Sequence, residues 1–207
     1  FDATATITLL STDNTFDDLT ISAGTATLAS NVVVTNGLII SGGTLDMVAF
    51  TVSALTLTLN NASSVLTGTS FTLTLTRDDG GDVITYTAGT FNASSQTGAT
   101  VAITGSANIN DPEDGNVSGS GIWMPTLSLA YSGKTVTLNN ASATQKGTAV
   151  AKLQVNGGIF TSTSASIQFV YIETPSVAWG SSPYVIGAVT NVTGMIQLFF
   201  DPQFGNS

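Results

Sequence analysis

The chain is 207 residues long, carries a formal net charge of −9 and contains neither Cys nor His. Those two absences exclude a Ser-His-Asp triad, a thiol nucleophile, a zinc finger and haem ligation by His. Only 8% of residues are charged, against about a quarter in an ordinary globular chain, and the four cationic side chains, Arg77, Lys134, Lys146 and Lys152, are too few to hold nucleic acid or an anionic membrane surface.

An apolar share of 42% can fill a core, so the composition is not that of a disordered chain. No apolar run approaches the roughly 18 residues of a membrane helix, and no membrane insertion is expected. The longest, at 185–189 and 196–200, are strand-sized. Position 1 is Phe with no hydrophobic leader before it. Either a signal peptide has been removed or the chain starts inside a longer one.

Residues 1–15 read as a terminal strand and tether. Ala3-Thr4-Ala5-Thr6-Ile7-Thr8-Leu9 alternates strictly, with Ala counted as small and apolar, and Ser11-Thr12-Asp13-Asn14-Thr15 is a polar run. Such a strand can pair with its own sheet or be donated to a neighbour's edge.

From 16 to 70 strand-like groups follow quickly: Leu19-Thr20-Ile21, Val32-Val33-Val34, Leu38-Ile39-Ile40, Thr44-Leu45 and Thr51-Val52. Short turns separate them, such as Ser22-Ala23-Gly24, Asn36-Gly37 and Ser41-Gly42-Gly43. This pattern resembles the β-solenoid rungs of bacterial surface adhesins and phage tail fibres. A meander of short hairpins satisfies the same pattern.

Period two then dominates. Leu55-Thr56-Leu57-Thr58-Leu59 and Phe71-Thr72-Leu73-Thr74-Leu75-Thr76 each present one Leu/Phe face and one Thr face, because successive strand side chains point to opposite sides. Threonine, being β-branched, suits a half-solvated pleated surface. Segments 83–87, 100–104, 126–131, 135–138, 153–155, 166–172 and 184–189 read the same way. No segment has helical periodicity, and turn residues recur every eight to twelve positions. The expected fold is all-β over 16–207: an antiparallel sandwich or jelly-roll-like domain, with solenoid-like N-terminal rungs before it left open. A turn-rich stretch at 105–121 marks a candidate subdivision.

Thr58-Leu59-Asn60-Asn61-Ala62-Ser63 recurs as Thr137-Leu138-Asn139-Asn140-Ala141-Ser142. Two readings stay open: a duplicated β-unit, or a favoured strand-end turn whose Asn residues tolerate positive φ.

Carboxylates cluster as Asp13, Asp17 and Asp18; as Asp78, Asp79 and Asp82; and as Asp111, Glu113 and Asp114. Oxygen-rich turns suit Ca²⁺, which takes six to eight hard oxygen ligands, and the loop of Asp111, Glu113 and Asp114 is the candidate metal site. An EF-hand register fails there, because Pro112 falls on a ligand position. The alternative is that these acids shape hairpin turns, as Asp78-Asp79-Gly80-Gly81 suggests. No carboxylate spacing selects a glycosidase pair. Gly42-Gly43 and Gly80-Gly81 lack the Lys and following helix of a phosphate loop. Apart from Ca²⁺ no cofactor is expected, and no enzymatic activity. Asn61, Asn92, Asn116, Asn140 and Asn191 head Asn-x-Ser/Thr glycosylation motifs, a pattern that abundant Ser and Thr also produce by composition. Trp123 is either a ligand platform or a core residue at a sheet end.

The functional expectation is a structural subunit of an extracellular filament or a virion surface assembly. Its partners would be copies of itself, joined through strand edges that few charges protect. The alternative is a glycan-binding adhesin or tail-fibre receptor-binding module. Either places the chain outside the cell, at a cell surface or on a virion.

Overall fold

The computed structural model describes residues 2–9, 14–92, 98–110, 121–129, 133–139, 149–155, 159–162 and 189–192. Every regular element among them is a strand. In chain order these are β1 (Asp2–Leu9), β2 (Thr15–Phe16), β3 (Leu19–Ile21), β4 (Ala23–Leu28), β5 (Val32–Val34), β6 (Gly37–Ile40), β7 (Thr44–Asp46), β8 (Thr51–Ala54) and β9 (Thr56–Thr67). There follow β10 (Thr72–Leu75), β11 (Asp82–Asn92), β12 (Thr100–Ile103), β13 (Ala107–Asn110), β14 (Gly121–Leu129), β15 (Thr135–Asn139), β16 (Ala149–Val155), β17 (Ile159–Ser162) and β18 (Val189–Val192).

All the strand pairings are parallel, and they fall into three ladders. The first runs β2–β5–β8–β10–β12–β14–β16. The second runs β3–β6–β9–β11–β13–β15–β17–β18. The third runs β1–β4–β7–β9–β11–β14–β16. Long strands serve two ladders: β9 gives Leu57 and Leu59 to the second, then Val65 and Leu66 to the third. The chain therefore winds as a β-solenoid, and each coil supplies the long crossover that parallel pairing needs.

Coil length is read from the register. Leu38 lies beside Leu19 and Leu57 beside Leu38, at equal intervals along the chain. Ile84 then lies beside Leu57 and Ile109 beside Ile84, and both of these intervals are longer. The core follows the same stacks. Leu19, Leu38, Leu57, Ile84 and Ile109 are all at most 2% exposed. The filling residues grow as the coils lengthen. Ala26 stacks on Leu45, Leu45 on Leu66 and Leu66 on Phe91. Tyr86 stacks on Leu59, and Phe71 and Phe91 meet with ring centroids 6.4 Å apart. A wider coil encloses more volume, which larger side chains fill at native packing density.

The expected antiparallel sandwich or jelly-roll is overturned, because every pairing is parallel. The turns explain the misreading. Asn36-Gly37, a short turn that fits solenoid rungs and a hairpin meander alike, joins β5 to β6, yet β5 pairs with β2 and β8 while β6 pairs with β3 and β9. These short turns are corners between ladders. Asx and Gly residues serve a corner as well as a hairpin, because both reverse or bend the chain sharply. Parallel pairing also reaches beyond 16–70, from β1 to β18. β1 pairs within its own chain, with Ile7 beside Ala26 and Leu9 beside Leu28 of β4. The first three residues of the repeated hexapeptide fall on the second ladder both times, Thr58-Leu59-Asn60 in β9 and Thr137-Leu138-Asn139 in β15. Its copies are offset, since Leu138 stacks below Ile109, in the column that contains Leu57.

Candidate functional site

The densest polar cluster among the described residues grows from the corner after β10. Alternation stops at Thr76, and Arg77-Asp78-Asp79-Gly80-Gly81 turns the chain into β11, with Gly80 at φ 77°. Arg77 grips Asp79 with two nitrogens, Nε to Oδ1 at 2.6 Å and Nη2 to Oδ2 at 3.1 Å, and its Nη1 donates to the Asp82 carbonyl at 3.1 Å. Asp79 Oδ1 also accepts the Gly81 N–H at 2.9 Å.

Asp78 reaches along the solenoid. Its Oδ1 accepts the Ser106 N–H of the next coil at 2.7 Å, and its Oδ2 accepts from the Lys134 ammonium of the coil after that. Ser106 links the same three coils: its carbonyl accepts the Gly80 N–H at 2.9 Å and its Oγ accepts the Thr135 N–H at 3.2 Å. Asn108 Nδ2 donates to the Gly80 carbonyl at 2.7 Å, and Asn110 Nδ2 to Asp82 Oδ2 at 3.2 Å. Two of the chain's four cationic side chains are thus spent on one corner.

The electrostatics follow from these partners. The Arg77 hydrogen bond, helped by the Gly81 N–H, pulls Asp79 down to about 2. The Lys134 ammonium and the Ser106 N–H lower Asp78. Asp79 in turn raises Arg77. A carboxylate held below its unfolded value stabilises the fold above that unfolded value, and the contribution is lost as pH falls through the folded value. Urea-unfolding midpoints are therefore expected to stay flat from pH 8 to about pH 5, where with no His almost nothing titrates. They should drop between about pH 4 and about pH 2 as Asp79 protonates. In Asp79→Asn that last drop should shrink. An equal drop in the variant would show that this corner is not what acid releases.

Other acids staple corners too. Asp17 Oδ1 accepts from Thr35 Oγ1 at 3.1 Å, and Asp18 Oδ1 from the Gly37 N–H of the next coil at 2.8 Å. Asp46 Oδ1 accepts the N–H of Val48, a β-branched residue at φ 53°, at 2.9 Å. The hairpin reading of Asp78-Asp79-Gly80-Gly81 is corrected accordingly: Asp79 holds the corner itself, and Asp78 ties it to the next parallel coils.

Asp13, Asp111, Glu113 and Asp114 lie outside the described residues, and so does the proposed Ca²⁺ loop. Among the described residues, no three His, Cys, Asp or Glu side chains gather as a metal site would need. Asn61 is exposed, and its Oδ1 accepts the Ser63 N–H at 2.9 Å. Asn92 and Asn191 fall on β11 and β18, while Asn116 and Asn140 lie outside the described residues. Trp123 stands in β14, in register with Asn92 and Ala149.

Sequence reasoning missed the ion pair of Asp78 with Lys134, which are 56 positions apart. It also missed Ser64, buried in the bend of β9, whose Oγ donates to the Ile40 carbonyl at 2.6 Å. Chemically, these corners supply hydrogen bonds between coils and, among the described residues, one charge pair between coils, Asp78 with Lys134. No family model, curated protein or solved structure matches the chain.

Proposed function

We propose that the chain is a structural β-solenoid segment of an extracellular filament or virion surface assembly, joined to further copies of itself through its strand edges. The observation that carries this reading is the first-coil edge. Among the described residues, β2 pairs only with β5 and β3 only with β6. Neither strand holds a Lys or a Pro, and the nearby Asp17 and Asp18 are bonded to the next coil. Charges and prolines are the usual guards of a strand edge. An unguarded parallel edge offers a second copy the same ladder to continue. The scarcity of charge and of catalytic side chain types supports a scaffold over an enzyme.

Electron microscopy and sedimentation of the purified chain test this. Rods are expected, with lengths that grow with concentration. A Thr15→Lys, Thr20→Lys variant should keep its circular dichroism and sediment as single chains. A wild type that stays monomeric and binds a glycan array would instead support a receptor-binding module.

A further inference from the structure

We propose that the outer face of the first ladder, from β8 to β14, binds ice. The proposal goes beyond the assembly reading and does not depend on it. Its basis is a repeated tripeptide: Thr51-Val52-Ser53, Thr72-Leu73-Thr74, Thr100-Val101-Ala102 and Thr126-Leu127-Ser128. In each, the middle residue is buried and the two flanking residues are half-buried on the outer face.

The register turns these tripeptides into two rows. Thr72 lies beside both Thr51 and Thr100, and Thr74 beside both Ser53 and Ala102. Leu127 lies beside Val101 and Ser128 beside Ala102, which puts Thr126 next in the first row. These pairings contain no bulge, whereas the other two ladders slip between β1 and β4, β9 and β11, and β11 and β13. Parallel strands repeat about every 4.8 Å across the ladder, and alternate residues about every 6.6 Å along a strand. The face is therefore a regular grid, and its repeat across the coils is close to the shortest lattice repeat of hexagonal ice.

Three further properties fit that ligand. Threonine is stiff at χ1, so methyl and hydroxyl are held in place before anything binds, and little ordering remains to oppose adsorption. The hydroxyls are unspent. Thr76 and Thr104, just past the strand ends, donate to the carbonyls of Ala54 and Leu75 in the preceding coil. The hydroxyls of Thr51, Thr72, Thr74 and Thr100 make no bond to a protein group among the described residues. Finally, the four tripeptides carry no charge and no aromatic ring, and the grid stops at β14, because the next coil sets Lys152 beside Thr126. A charge would order its own hydration shell against the lattice. A crystalline polysaccharide also repeats, but stacking a sugar ring calls for an aromatic platform that this face lacks. A protein partner without stacked coils does not repeat at the coil spacing, and a second copy of this chain is separated by the test below.

The test is slow directional freezing of the purified chain, with its content measured in ice and in the remaining liquid, alongside ice-recrystallisation inhibition. Wild type should be enriched in the ice severalfold over an inert protein. Thr72→Lys, Thr74→Lys should be excluded from ice while keeping the wild-type circular dichroism. The uncharged Thr100→Tyr should have the same effect, which covers the case in which paired lysines disturb folding. Thr58→Lys, on the second ladder, should keep the enrichment. Exclusion of the wild type from ice would overturn the proposal. So would undiminished ice partition of the folded first-ladder variants, and so would self-association or adsorption to microcrystalline cellulose without entry into ice.

Discussion

Replacing Leu57 by alanine is expected to destabilise the fold by about 3–4 kcal/mol. Leu57 is wholly buried and sits third in a column with Leu38 on one side and Ile84 on the other. Removing its branched end loses transfer free energy and leaves a cavity. A globular core recovers part of that loss by collapsing inward. Here collapse is opposed from both sides, because the ladder hydrogen bonds of β6 and β11 hold the neighbouring coils at about 4.8 Å spacing. The adjacent Thr58 points outward and is half-buried, so Thr58→Ala should change stability by only about 0.5 kcal/mol. Urea titrations followed by circular dichroism compare the two. Equal losses would mean that β9 does not divide into a core face and a solvent face.

Gly43→Ala should cost a similar amount, about 3 kcal/mol, for a different reason. Gly43 turns the corner from the second ladder to the third and lies directly over Ala23 of the preceding coil. A Cβ there would stand 2.8 Å from the Ala23 carbonyl oxygen, 2.9 Å from its carbon and 2.7 Å from Ile21 Cγ2. Two of those three atoms are backbone. They cannot swing aside, because Ile21 is paired with Ile40 and Thr25 with Thr44 on either side of the corner. Gly80 is the control. Its φ of 77° penalises any Cβ, but nothing lies within 4 Å of one, so Gly80→Ala should cost only about 1 kcal/mol. Melting temperatures of the two variants decide the matter. If Gly43→Ala melts no lower than Gly80→Ala, the coils are not packed backbone to backbone at that corner.

The two-residue alternation made the strands legible, and with them the side each residue faces. Leu57, Leu59, Leu73 and Leu75 are buried, while Thr56, Thr58, Thr72 and Thr74 are not. What alternation cannot report is the neighbour. A strand with one apolar face has the same pattern whether the next strand runs beside it or a whole coil intervenes. A constant repeat would have given the solenoid away, but the offset between stacked residues lengthens from Leu19 and Leu38 to Ala107 and Val136. Asp17, Asp18, Asp78 and Asp79 were recognisable as turn residues. The partners of Asp18 and Asp78 were not, because Gly37, Ser106 and Lys134 come into range only once coil is laid on coil.

The parallel ladders also bear on how the chain acquires its order. Among the described residues each strand is paired only with strands one coil before and one coil after, so a nascent coil needs just one finished neighbour as a template. Folding can then advance from the N-terminal side while later residues are still being synthesised. A lesion such as the Gly43 clash would act as a roadblock: coils already laid down behind it would persist, and those ahead would lose the surface on which they form.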